Sequence, residues 1–389
     1  MVHCNQRGCE VLCGDNSHTF RFEQAGPSQI AGVQQSLLKN NEDGTFSLDE
    51  LRDKIRKNPD CHEPIPALVI VENTHNMCGG KVLPLEWLEK VGNIANEYGL
   101  KVHMDGARLM NAAVYLKVSP KRVVRDVDSV CFCLSKGLGA PIGSILAGTR
   151  QFIAKARRTR KVLGGGWRQA GIIAAAGLVA LDKMIDRLQI DHEHAYRIAK
   201  AIHATKSSIF KVDLAHVQTN ILLMYVDRSK VEIRELQRRL QTVLKTDSVK
   251  ASVRCTSLSP TCVRFVFYWE ITEEDVKMAI EKITLVIKEY DNQFRIVDTN
   301  SKIFKADLSG VQTNIVIMKL DSVNIVAKDF QTRLTRIAEG EDSNVVIKCS
   351  SRDSNCVRFV TYWEITSEDI DEAVKKIQHV IHEFEEKCN

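Results

Sequence analysis

The sequence predicts an α/β chain: a large domain on a mostly parallel sheet covered by helices, followed by a small α+β subdomain that is duplicated. Three observations predict it. Apolar, β-branched runs alternate with helix-patterned stretches as far as Leu146, the order that yields parallel strands joined by covering helices. Two of those runs end on charged residues beside glycine, at Asp105-Gly106 and Lys136-Gly137, and strand ends are where open α/β sheets bind ligands. Further along, whole phrases recur: IFKVDLAHVQTNIL at 209–222 returns as IFKADLSGVQTNIV at 303–316, and CVRFVFYWEITEED at 262–275 as CVRFVTYWEITSED at 356–369. Both offsets are 94 (303 − 209 and 356 − 262). Two aligned copies indicate a duplicated subdomain, not a solenoid.

Element by element, Glu10 to Cys13 reads as a short strand, and Gly14-Asp15-Asn16-Ser17 as a turn leading to His18. Ser47-Leu48-Asp49-Glu50 is a capping box that opens a helix through about Arg56. Ala67 to Val71 is continuously apolar, as a strand buried on both faces requires, and it ends at Glu72-Asn73-Thr74-His75-Asn76. Pro84 starts the next helix at its tolerated first position and Gly99 stops it. Strands follow at 101–104 and 127–134, and a single helical stretch at 168–204 whose Ala170 to Ala180 segment is small and apolar enough for close packing. Each repeat unit then reads strand, helix, strand, strand, helix. The expected domains are 1–204, 205–292 and 293–389.

With 389 residues, 44% hydrophobic and 26% charged, the chain is long enough for more than one sizeable core. Net charge is +5, and the basic residues are dispersed except for Lys155 to Lys161, which lacks interleaved aromatics and reads as a solvated helix face or anion-binding rim. No nucleic-acid partner is expected. Twelve cysteines are scattered without a secretory signal, so they are expected as reduced thiols. His3, Cys4, Cys9 and Cys13 lack CxxC spacing, and no metal is expected there. No apolar run approaches the ~20 residues of a membrane span. A cytoplasmic location is expected, or a mitochondrial one should a targeting segment precede this sequence.

Asp105 precedes Lys136 by 31 residues (136 − 105), each at a strand end with glycine beside it. An amine that condenses with an aldehyde, and a carboxylate that keeps a pyridine nitrogen protonated, are what pyridoxal 5'-phosphate needs. Such pairs also arise at the surface of many α/β folds, so spacing alone leaves both readings open. The full stretch goes further. HMDGAR at 103–108, SKGLGAPIGS at 135–144, LGGGWRQAG at 163–171 and ENTHN at 72–76 together resemble the threonine aldolases, pyridoxal-phosphate lyases of fold type I, from about residue 3 to about residue 290.

That resemblance implies cleavage of L-threonine or L-allo-threonine to glycine and an aldehyde, in threonine breakdown and glycine supply, by a homodimer or homotetramer. It implies Lys136 as the cofactor-bearing lysine, Asp105 at the ring nitrogen, His18 stacked on the ring, and His75 near the substrate hydroxyl, with His75 or His18 as base. Arg108 would lie beside cofactor and substrate carboxylate. A small-domain arginine would also meet that carboxylate, and Arg264 and Arg358 both stand in Cys-Val-Arg-Phe; the chain order of the family favours Arg264. Family members carry a further N-terminal segment, from which weak cofactor binding by the chain as written is expected. An aldolase-like protein that keeps the fold and an assembly role without turnover is the alternative.

Overall fold

The computed structural model describes residues 1–245, 247–297, 301, 304–306, 315–321, 325–337, 345–360 and 365–387. Two compact units divide the chain. The first joins Met1–Ala199 with Asp213–Leu223 and Arg264–Glu273, and the second holds Lys200–Val212, Met224–Val263 and Glu274–Asn389.

The first unit is laid down as β1 (Cys9–Gly14), α1 (His18–Arg21), β2 (Gln34–Leu38), α2 (Leu48–Lys54), β3 (Ile65–Glu72), α3 (Leu85–Glu97), β4 (Lys101–Asp105), α4 (Leu109–Leu116), α5 (Pro120–Val123), β5 (Ser129–Cys133), β6 (Ser144–Gly148), α6 (Arg150–Val162), α7 (Gly171–Lys183) and α8 (Leu188–Ala204), which runs on into the second unit. The strands form one six-stranded sheet in the order β2-β1-β3-β4-β5-β6. All neighbours are parallel except β6, which pairs antiparallel with β5. This is the mostly parallel α/β sheet that the alternation predicts. Leu68 to Glu72 are all buried, as a central strand with helices on both faces must be. Val69, Val71, Val102, Met104 and Val130 meet Leu88, Val91 and Ile94 of α3 in one core.

Register places the site. Glu72 stands opposite Asp105, and Asp105 opposite Cys131, so the carboxyl ends of β3, β4 and β5 finish in one row.

Several elements differ from the sequence reading. Pro84 is the N-cap of α3 instead of its first turn, because its extended backbone (ψ 135°) precedes the helix. The helix expected at 168–204 is two, α7 and α8, with the break at Met184–Arg187. Arg187 there reaches both Asp191 and the Trp269 carbonyl, a tertiary demand that no glycine or proline announces. The apolar segment of α7 is not packed away within the chain: Ile172, Leu178 and Val179 are 89%, 68% and 61% exposed. Neither β2 nor β6 was expected.

Two smaller sheets follow. The first has the order β7-β8-β10-β9 and the second β11-β12-β14-β13, with β7 (Phe210–Lys211), β8 (Ile221–Val226), α9 (Ile233–Gln241), β9 (Thr256–Ser259), β10 (Cys262–Val266), α10 (Glu273–Val297), β11 (Phe304–Ala306), β12 (Ile315–Leu320), α11 (Ala327–Leu334), β13 (Ser350–Asp353), β14 (Cys356–Val360) and α12 (Ser367–Glu386). The copies share their internal bonds at the same offset. Arg239 donates to both oxygens of Glu289, and Arg333 to both of Glu383. Gln237 donates to the Cys255 carbonyl and Gln331 to that of Cys349. Lys282 and Lys376 are fully buried, which an ammonium tolerates only with partners. Lys282 donates to Asp247 (2.5 Å) and to the Thr242 carbonyl (2.7 Å), and Lys376 to the Arg336 carbonyl (2.7 Å). Of the repeated phrases, 303, 307–314 and 361–364 lie outside the described residues.

Candidate active site

Each strand of the carboxyl row contributes a group. At the end of β4, half-buried Asp105 accepts from the Ala107 amide (3.3 Å), and Gly106 donates to the Cys131 carbonyl (2.7 Å). A Cβ on Gly106 would meet Val130 Cγ2 at 2.9 Å and that carbonyl at 3.1 Å. The turn from β4 into α4 therefore requires glycine next to Asp105. It delivers half-buried Arg108 to the N-cap of α4. Burial first, then the charge of Arg264, pulls the Arg108 guanidinium below the ordinary arginine range.

After β5 the chain turns outward at Ser135 and Lys136, both exposed, and the Lys136 carbonyl accepts from Gly139 (2.9 Å). Lys136 lines a cleft of about 310 Å³ together with Arg108, Ser135, Asn220 and the stretch Phe267 to Glu270. Asn220 exchanges hydrogen bonds with Phe267 through both backbone and side chain (2.9 and 2.8 Å). Arg187 anchors the Trp269 carbonyl at 2.7 Å. Cys131 on the floor of the row has its thiol pushed up by burial, and it feels the charges of both Asp105 and Lys136.

Glu72, at the end of β3, is buried and accepts from the His18 amide (2.6 Å) and the Asn76 amide (2.8 Å). Burial raises its carboxyl while those two bonds lower it, with a net rise. Next to it, the His75 imidazole is 1% exposed and neither ring nitrogen finds a partner among the described residues. Burial pulls it down to about 4, against the opposing charges of Asp105, Asp15 and Asp43. His18 is half-buried and its Nε2 lies 3.1 Å from Glu23.

Among the residues expected to act, the structure brings Lys136 and Arg108 to one cleft and ties Arg264 to Arg108 through a shared acceptor. Arg264 on β10 donates to Asn76 Oδ1 at 2.8 Å, and Arg108 donates to the same oxygen at 3.3 Å. Asp105 stands opposite Glu72 and the His18 amide donates to Glu72, and Asp105, His18 and His75 lie outside the lining of that cleft. Arg358 is exposed on β14, opposite Ile317 and Ser350. Two contributors escaped the sequence reading, Glu72 and Asn76. A buried charge closing an apolar run was the available signal for Glu72; Asn76 stands in the ENTHN stretch at 72–76, but its pairing with Arg264, 188 residues away, has no local signal.

The remaining stretches are placed as follows. Cys4, Cys9 and Cys13 sit in a small apolar cluster with Val11 and Val33, and His3 meets Ser129 Oγ at 2.7 Å. The basic run 155–161 lies on α6, none of whose residues is buried.

The family profile described as beta-eliminating lyase matches residues 1–229. Low-specificity L-threonine aldolase 1 of Arabidopsis thaliana is 41% identical over 278 residues, covering 71% of this chain and 75% of that protein. Among solved structures, threonine aldolase of Leishmania major superposes with a TM-score of 0.57 at 20% identity, over 73% of this chain and 80% of that one. A PLP-dependent aminotransferase from Streptococcus suis superposes with a TM-score of 0.54 at 16% identity, over 75% and 74%; both likenesses concern the fold. By the profile match and the identity to the plant protein, the chain belongs to the beta-eliminating lyase family, among its low-specificity L-threonine aldolases.

Proposed function

We propose that this chain is a pyridoxal 5'-phosphate-dependent lyase that cleaves L-threonine and L-allo-threonine to glycine and an aldehyde. The observation that carries the reading is a single cleft lined by both Lys136 and Arg108. The residues present fit the cofactor. His75 holds two buried ring nitrogens without a partner among the described residues, polar capacity that a bound polar group would satisfy. Asp105 stands opposite Cys131 on β5, the strand that ends at Cys133 just before Lys136, so carboxylate and amine leave neighbouring strand ends.

When bound, pyridoxal phosphate supplies an electron sink for the pair released as a bond to Cα breaks. Lys136 is the amine that would hold it, Asp105 the carboxylate that would keep its ring nitrogen protonated, and His18 the ring that would lie against it. Arg108 and Arg264 receive the substrate carboxylate, and their planar donors suit that anion. His75 is neutral above about pH 4, because burial removes the water that would solvate an imidazolium. It therefore accepts the proton of the substrate β-hydroxyl at neutral pH. The Cα–Cβ bond then breaks, the aldehyde leaves, and Cα takes up a proton to give glycine.

Incubation with L-threonine should release glycine and acetaldehyde in equal amounts; a loaded protein that forms neither refutes the reading. Borohydride reduction followed by peptide mapping should place the pyridoxyl group on Lys136. A label on another lysine removes that assignment.

Association of copies belongs to the same proposal. The edge strand β6 exposes Ile145 and Leu146 (38% and 40%), and α7 exposes Ile172, Leu178 and Val179, apolar surface of the kind that marks interfaces. Sedimentation analysis should show a dimer or tetramer, and a monomer at all concentrations would contradict it.

A further inference from the structure

Arg108 and Arg264 are two cations that approach one another, and the charge of Arg264 is one cause of the depressed Arg108 guanidinium. Like charges at such range repel strongly where water is scarce. What joins them is a neutral oxygen, Asn76 Oδ1, which accepts from Nη1 of Arg264 at 2.8 Å and Nη1 of Arg108 at 3.3 Å. The amide orientation is forced by chemistry, since turning Nδ2 toward two guanidiniums would set donor against donor. Nδ2 instead points at the Met77 sulfur, 3.9 Å away. The Asn76 backbone is fixed in turn, its amide donating to buried Glu72 at 2.8 Å.

We propose that Asn76 is a positioning residue that sets the two guanidiniums as a pair for one amino-acid carboxylate, and that its neutrality is what keeps the pair open to that anion. This inference rests on the aldolase reading. A carbonyl oxygen offsets part of the repulsion by accepting from both cations and adds no negative charge of its own beside the cleft that Arg108 lines. A carboxylate at the same place would do the opposite. It would form charge-assisted bonds to both arginines and occupy the pair as a built-in competitor of the substrate.

The test compares Asn76→Asp, which keeps shape and adds charge, with Asn76→Leu, which keeps volume and removes the acceptor. In the cofactor-loaded protein at pH 8, Asn76→Asp should raise the KM for L-threonine about 100-fold and weaken glycine binding, read by calorimetry, by a similar factor, with kcat within about threefold. Lowering the pH toward the range in which a carboxyl protonates should restore glycine affinity in Asn76→Asp relative to wild type. Asn76→Leu should raise KM about 10-fold or more with no such recovery. Glycine affinity and KM within twofold of wild type in Asn76→Asp overturn the proposal, as does a fall in kcat at unchanged KM. If Asn76→Leu does not fold, the isosteric Asn76→Asp and its pH response decide alone. Failure of the aldolase reading is distinguishable, because wild type itself would then neither bind glycine nor cleave threonine.

Discussion

Acidification from pH 7 to pH 5 should destabilise the first unit through three buried imidazoles. Burial pulls His75, His103 and His192 each from 6.5 to about 4. In the window between those values the unfolded chain binds the proton and the folded chain does not, so stability is full above about pH 6.5 and is lost as pH falls. At pH 5 each such histidine favours the unfolded state by about 2 kcal/mol relative to pH 7, or roughly 6 kcal/mol for three. Buried Glu72 and Asp191 work the other way, because their raised carboxyls take up protons more readily when folded. The net loss is therefore smaller than the histidine sum. Against a total stability on the order of 5 to 15 kcal/mol, it still moves a urea midpoint visibly. Unfolding of the purified protein at pH 7, 6 and 5 should show the midpoint falling most steeply between 6 and 5. In His192→Gln the loss should shrink by about 2 kcal/mol. A midpoint flat across this range, or imidazole resonances that titrate near 6.5 in the folded protein, would refute the reasoning.

Other outcomes follow from the same geometry. Arg264→Ala should raise the KM for L-threonine about 10- to 100-fold, while Arg358→Ala changes it less than twofold; the reverse pattern in steady-state kinetics would transfer the role to the second copy. Asp105→Asn should lower kcat by orders of magnitude while the visible cofactor band persists, and near-normal turnover would remove Asp105 from its place at the ring. Leu188 is fully buried and its Cδ2 lies 2.7 Å from where a Cβ on Gly137 would be. Leu188→Ala should cost about 2 to 5 kcal/mol in a urea melt and loosen the Lys136 turn enough to slow cofactor loading.

How far the sequence reveals this molecule depends on the range of the forces involved. Strand β3 and helix α3 announce themselves, because a strand covered on both faces must be apolar throughout and a helix against it must carry a stripe. Strand β2, with the sequence Gln-Gln-Ser-Leu-Leu, does not: it is an edge strand, half-exposed, and pairing with β1 rather than burial creates it. The α7–α8 break is equally silent, for Arg187 makes it through Trp269, a contact 82 residues distant. Lys136 and Asp105 were readable as strand-end charges beside glycine. The role of Asn76 as shared acceptor was not, for although it closes the ENTHN stretch, both of its arginine partners lie far along the chain.

The duplication has a consequence for how the chain reaches its native pairing. Strands β10 and β14 are both Cys-Val-Arg-Phe-Val, so β8 meets two identical candidates during folding. Side-chain complementarity does not discriminate between them; chain connectivity does. From Val226 the correct partner begins 36 residues on (262 − 226) and the wrong one 130 (356 − 226). Loop-closure entropy then favours the correct one by about 1 kcal/mol, roughly a sevenfold preference. That margin is thin enough for strand-exchanged chains to form and wait to unpair, the characteristic misassembly of tandem repeats. Refolding should therefore show a slow phase limited by local unfolding, and recoding Val357 and Phe359 to other apolar residues should shrink it. A single fast phase in the native sequence would show that the copies complete themselves before they can meet.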